Sequence, residues 1–136
     1  TIPQGITAIT SFNSDIDIDE NISTMESVLT AVTTGSVTYA VRDTEIDEIS
    51  IKKGDILGLI DGKIEQVGKD MFEVCDKLLE NMIKEDSELI SIYYGTDCDE
   101  EKVKHFVEEI EKKYMEMDVQ CYSGKQPLYY FIISVE

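Results

Sequence analysis

The sequence predicts an α/β (α+β) fold of two layers, with helices packed on a mixed β-sheet that contains an antiparallel hairpin unit. Three observations carry this expectation. Asp61-Gly62 sits between two β-rich runs, 56–60 and 63–67. A type I′ turn needs φ > 0 at both central residues, which makes Asp-Gly the strongest short-range hairpin signal. From residue 70 onward the apolar periodicity runs helix, strand, helix, strand, strand. The last run, residues 128–135 (LYYFIISV), is apolar on both faces, which predicts a central strand covered on both sides. Short connections between such elements favour helices laid on one sheet.

In chain order, Pro3 suits a first helical turn, because its missing N–H has no intrahelical partner there. A short helix to about residue 12 then places Ile2, Ile6, Ile9 and Phe12 on one face, and Asn13-Ser14-Asp15 ends it. Ile22, Met25, Val28, Leu29 and Val32 recur at helical spacing after Asp17, Asp19 and Glu20, acids that cap a helix and complement its dipole. Gly35 closes this helical start, residues 1–34. The next unit, residues 35–68, is β. Val37, Tyr39 and Val41 alternate with Thr38, Ala40 and Arg42, Ile49 and Ile51 alternate with Ser50 and Lys52, and Lys53-Gly54-Asp55 supplies a turn. Three or four antiparallel strands are expected there.

The third unit, residues 69–136, opens on a helix over 70–84. Asp70 and Glu73 have capping-box spacing, and Met71, Val74, Cys75, Leu78, Met82 and Ile83 form its apolar face. A strand follows over 88–94 (ELISIYY). Next comes a helix capped by Asp99, with Val103, Phe106, Val107, Ile110 and Tyr114 as its buried stripe. A short strand at 118–122 and a turn at 123–127 lead into the final strand.

A chain of 136 residues suits a single domain, which at this size buries roughly two-thirds of its unfolded surface without staples. Its 12 basic and 29 acidic residues leave a net charge of −17, which repels phosphate backbones and anionic membranes. Nucleic acid is therefore not an expected partner. Membrane insertion is not expected either, since no apolar run approaches the roughly 20 residues of a span. The opening TIPQGI lacks the regions of a signal peptide, and a start on Thr instead of Met predicts a fragment or processed product. Cys75, Cys98 and Cys121 are odd in number and widely spaced, which argues for free thiols in a reducing, cytoplasmic setting.

Asp15, Asp17 and Asp19, with Ile22 and Glu26, sit at several EF-hand spacings, but Glu20 stands where that loop needs Gly and a helix begins inside it. They read as a solvated acidic cap, and no metal site is expected. His105 falls beside the exposed face of its helix, and the cysteines fall on three different elements, so neither builds a triad or a zinc set. No phosphate loop, dinucleotide fingerprint or nucleophile elbow is present, so a complete enzyme is not expected. Arg42-Asp43-Thr44 differs. A guanidinium, a carboxylate and a hydroxyl at a strand end can bind an anion or make a specific charged contact, and equally can form an internal pair that pins the turn. Tyr39, Lys52 and Lys53 belong to the same rim. Gly124, Lys125 and Gln126 form a turn whose free N–H groups are a second candidate contact, against the reading of a plain loop.

TIPQGI, TGSVTYAVRDTEID, the pair IKKGD and DGKI, EDSELISIYYG and GKQPLYYFIISVE together resemble the C-terminal region of the large, ATP-binding subunit of bacterial fatty acid kinase. That family was formerly described as dihydroxyacetone-kinase-like, or Dak phosphatase. The resemblance covers nearly the whole chain, with two departures. Family members often carry Gly-Gly-Gln-Pro in place of Gly124-Lys125-Gln126-Pro127, and Asn-Pro-Asp in place of Asn13-Ser14-Asp15. The order of elements from residue 70 onward is also similar to one lobe of the DegV fold, a likeness of fold and not of function. The family resemblance implies ATP and magnesium in a separate N-terminal domain with no cofactor in this portion. The expected partners are a DegV-type fatty-acid-binding protein and the chain's own upstream domains, and a homodimer is compatible with it. If this chain docks the acyl-binding protein, the rim residues Tyr39, Arg42, Asp43, Thr44, Lys52 and Lys53 are the expected contacts. The module itself would be non-catalytic, and the alternative is a domain that binds a small anion or acyl chain.

Overall fold

Each helix starts on a side chain that takes up a free backbone N–H. Thr1 forms a capping box with Gln4 at the head of α1 (Ile2–Thr10), and Asp17 accepts from the Glu20 N–H ahead of α2 (Ile18–Leu29). Asp70 accepts from Phe72 and Glu73 ahead of α3 (Met71–Met82), and Asp99 from Lys102 ahead of α4 (Glu100–Lys113). The structure, a computed structural model, describes residues 1–136. The second helix is shorter than its apolar periodicity predicts, because Thr33 already pairs with Val135 in the sheet.

The strands are β1 (Thr33–Tyr39), β2 (Thr44–Ile46), β3 (Ile49–Ile51), β4 (Ile56–Ile60), β5 (Lys63–Gly68), β6 (Leu89–Tyr94), β7 (Asp118–Ser123) and β8 (Phe131–Val135). Six of them form a mixed sheet in the order β5-β4-β1-β8-β6-β7. Its pairs are antiparallel except β6 and β7, the parallel pair that α4 connects. β8 is central, as predicted: Phe131 lies opposite Val37 on one side and Tyr94 on the other. Strands from residues 35–68 and from beyond residue 88 therefore share one sheet.

The β4–β5 hairpin turns on Asp61 and Gly62 at φ 47° and 83°, the left-handed pair that a type I′ turn needs. β2 and β3 do not join the sheet. They form a separate ribbon turning on Asp47 and Glu48 at φ 50° and 66°, a second left-handed pair that carries no glycine. The expected strand through Val41 and Arg42 stops at Tyr39 for a physical reason. Ala40 N–H donates to Asp55 O and Gly54 N–H to Ala40 O, both at 2.8 Å, which closes a loop at the end of the sheet from which residues 41–50 project.

α3 and α4 cover one face of the sheet. Val37, Ile56, Ile90, Ile92, Phe131, Ile133 and Val135 meet Val74, Cys75, Leu78, Leu79 and Met82 of α3, and Val103, Phe106 and Ile110 of α4. Lys113 ties the helices together, reaching Asp76 at 2.9 Å and Glu80 at 2.7 Å. The hydrogen bonds that Lys113 donates to Glu80 and then to Asp76 raise its pKa.

The other face of the sheet is covered in part, by α1, at the end where β1 begins and β8 finishes. The Thr1 and Thr34 hydroxyls meet at 2.8 Å, Thr7 donates to the Glu136 carboxylate at 3.0 Å, and Gln4 holds α2 through Leu29 O at 3.0 Å. Pro3 and Ala8 are the residues that α1 buries. Ile2, Ile6, Ile9 and Phe12, expected to share one apolar face, are all exposed: Pro3 and Ala8 take the buried positions instead, and Ile6 lines the groove between α1 and the sheet.

Candidate functional site

At one end of the sheet β1, β6 and β7 stop while β4 and β8 start, and three connecting segments crowd together there: 40–55, 95–99 and 123–130. Both stretches singled out in the sequence lie on this rim. The Tyr39 and Tyr130 rings pack with centroids 5.8 Å apart. Tyr130 N–H donates to Val37 O at 2.8 Å, and the Thr38 hydroxyl to Leu128 O at 2.7 Å. The last turn of β1 thus joins the projecting arm to the 124–130 loop.

Within the arm the roles separate. One Asp43 oxygen accepts the Lys53 N–H at 2.8 Å, and the other lies 3.9 Å from the Lys52 ammonium. Both partners of that ion pair are about two-thirds exposed, so it adds little to stability, and Asp43 acts as a turn pin. Arg42 is exposed and takes part in none of the ion pairs of the fold. Thr44, opposite Ile51, is exposed as well. Beneath the arm, Asp55 is buried and accepts both the Lys52 N–H, at 2.9 Å, and the Lys69 ammonium. The Lys69 hydrogen bond first and the Lys52 N–H second lower the Asp55 pKa.

In the second stretch, Gly124 N–H donates to Tyr94 O at 3.0 Å and the Gln126 carboxamide to Tyr93 O at 2.9 Å. Gln126 O accepts the Thr96 N–H at 3.1 Å. Those groups fasten the loop to the end of β6. Lys125, at φ 55°, is exposed.

Gly95, Asp97 and Tyr130 belong to the same rim and were missed by sequence reasoning. A Cβ at Gly95 would fall on the carbonyl oxygens of Gln126 and Tyr129. Burial raises the Tyr130 pKa, with Asp97 the next contributor. The one available signal was position: Gly95-Thr96-Asp97 follows directly on the strand that ends at Tyr94. Burial also raises the Cys98 thiol, whose hydrogen bond goes to Tyr130 O at 3.2 Å. That is the wrong direction for a nucleophile. His105 sits exposed on α4, 3.5 Å from Glu109, and no group of three or more His, Cys, Asp or Glu side chains converges to hold a metal ion.

The rim therefore offers one unpaired guanidinium and two exposed lysines beside the packed Tyr39 and Tyr130 rings, a surface suited to contact more than to chemistry. All 136 residues match the FakA-like C-terminal family, the C-terminal domain of fatty acid kinase proteins of the FakA type. The chain belongs to that family. It is 40% identical over 136 residues to Protein YloV of Bacillus subtilis, 39% to a protein of Staphylococcus haemolyticus and 38% to one of Staphylococcus aureus. Each match covers 100% of the chain and 25% of the relative, so this FakA-like C-terminal domain spans about a quarter of the length of those relatives. No helix in it is long and apolar enough to cross a membrane.

Proposed function

We propose that the chain is the non-catalytic C-terminal module of the cytoplasmic, ATP-binding component of a fatty acid kinase. It docks a DegV-type acyl-binding protein so that the bound fatty acid is phosphorylated to an acyl phosphate. The observation that carries the reading is the rim: Arg42 stands exposed and unpaired on an arm that Asp43 holds in place. A guanidinium displayed in this way is suited to a carboxylate or other anionic group on a protein surface. ATP and magnesium would be held by the upstream part of the longer polypeptide. This module would supply orientation, the main protein contribution to phosphoryl transfer apart from charge stabilisation. The acidic remainder of the surface, at net charge −17, would speed encounter with a basic partner more than it would tighten binding.

Calorimetric titration with the acyl-binding protein, loaded and unloaded with fatty acid, tests this. Arg42→Ala is expected to weaken binding about tenfold, the effect of losing roughly 1.4 kcal/mol. Unchanged affinity, or no binding by the folded chain, removes the rim as the docking site.

A second reading, a domain that itself holds a small anion or acyl chain, has one supporting feature. A groove of about 520 Å³ lies between α1 and the sheet, with Ile6, Leu89 and Tyr93 among its lining residues. Glu136 also lines it, which disfavours an anion there. Mass spectrometry of a lipid extract of the purified chain decides this reading, and finding no acyl species eliminates its acyl form.

A further inference from the structure

At the opposite end of the sheet from the rim, α1 and α2 pack against each other and turn a set of large apolar side chains outward. Ile2 and Ile9 are each 71% exposed, Phe12 57% and Ile18 77%. Ile22 is also exposed, whereas the exposed Ile6 lines the groove between α1 and the sheet. Single exposed leucines or isoleucines are ordinary, but Ile2, Ile9, Phe12, Ile18 and Ile22 together, on one helical pair and its connection, are the mark of a covered surface. Charge distribution adds a second observation. Charged residues make up 30% of the chain, yet residues 1–14 contain none, and the charge of this helical pair lies on α2, in Asp19, Glu20 and Glu26. A surface meant for solvent in so acidic a protein would share its charge. The α1 side of this one is suited to dry contact, with the acids of α2 at its border.

We infer that the outward face of α1 and α2 is the seat of the polypeptide that precedes this module in the longer proteins. The family is one of C-terminal domains, and the match accounts for 25% of each relative's length. The remainder therefore runs into α1 and is tethered at this face, at a high effective concentration. An anionic membrane is excluded as the occupant by the net charge of −17. A second copy of the chain would have to compete with a covalently linked neighbour. The inference is independent of the docking reading, since the rim and this face lie at opposite ends of the sheet and share no residue.

The test is hydrogen exchange on the longer polypeptide that carries this chain, comparing wild type with the double variant Ile9→Glu/Phe12→Glu and, separately, with Ile18→Glu. These side chains are already exposed here, so the module itself should keep its fold, and continued protection of α3 and α4 confirms that it has. The expected result is that amides of α1 and α2 exchange at least tenfold faster in both variants, with mass unchanged in sedimentation. Exchange in α1 and α2 that is the same in wild type and variants overturns the inference. So does a wild-type dimer that the variants turn into monomers, because a second copy would then be the occupant.

Discussion

At the end of the sheet where β1 stops, the exposed arm carries Arg42, Asp43, Glu45, Asp47 and Glu48, whereas at the opposite end α1 and the residues just after it carry no charge and expose Ile2, Ile9 and Phe12. The first region is held out from the body by polar contacts that are complete within the chain: Asp43 to the Lys53 N–H, Asp55 to Lys69 and to the Lys52 N–H. Val41, Ile46 and Ile49 are exposed on it as well, but its polar groups are satisfied without a partner, so it can meet one and leave it. The second region leaves unburied side chains that would each contribute about 1.5–3 kcal/mol if fully covered. Exposed surface of the first kind suits reversible recognition, and surface of the second kind suits lasting contact.

The most forceful way to break that comparison is to ask what each apolar position contributes to this chain alone. Leu78, fully buried on α3 against the sheet, is expected to lose about 3 kcal/mol on Leu78→Ala, read from urea unfolding. Ile9→Ala and Phe12→Ala should each stay within about 0.5 kcal/mol. A large loss at Ile9 would mean that α1 already rests on something within the chain.

The rim is tested next by Gly95→Ala. The new methyl meets the Gln126 and Tyr129 carbonyls, so a loss of about 1–3 kcal/mol is expected, as for overpacking elsewhere. A neutral result would show that the 124–130 loop is free to shift and is a poor platform for a partner.

The smallest expected effect separates the two ends by pH. The Asp55 pKa is lowered in the fold, so its contribution is present above the unfolded value of about 3.9 and is lost as pH falls through the folded value. Thermal unfolding of wild type and Asp55→Asn should therefore differ near neutral pH and converge in acid. Substitutions at Ile2 or Ile9 should show no such convergence. A difference between wild type and Asp55→Asn that persists in acid would mean that Asp55 acts through packing and not through its charge.

Much of the fold was legible because the relevant signals are local. Asp61-Gly62 fixed a hairpin, Asp70 and Asp99 marked helix starts, and the double-faced run at 128–135 marked a central strand. The ribbon at 44–51 was not legible as a separate unit, since its departure from the sheet is set by the Ala40 to Asp55 pairing at the base of the arm, far apart in sequence, and its turn lacks glycine. The exposure of the α1 face was equally hidden: amphipathic spacing says which side chains share a face, not which neighbour covers it. Of the rim, the cluster at 42–53 was readable from charge and turn chemistry. Its meeting with the 124–130 loop was not, because that contact depends on β8 entering the sheet between β1 and β6.

The most direct test of the docking account is steady-state acyl phosphate formation by the longer polypeptide, wild type and Arg42→Ala, with the acyl-loaded partner varied and ATP saturating. A docking role predicts a KM for the loaded partner raised about tenfold with kcat unchanged, since uniform binding would have been removed. A fall in kcat at unchanged KM would contradict it and place Arg42 in the phosphoryl-transfer step itself.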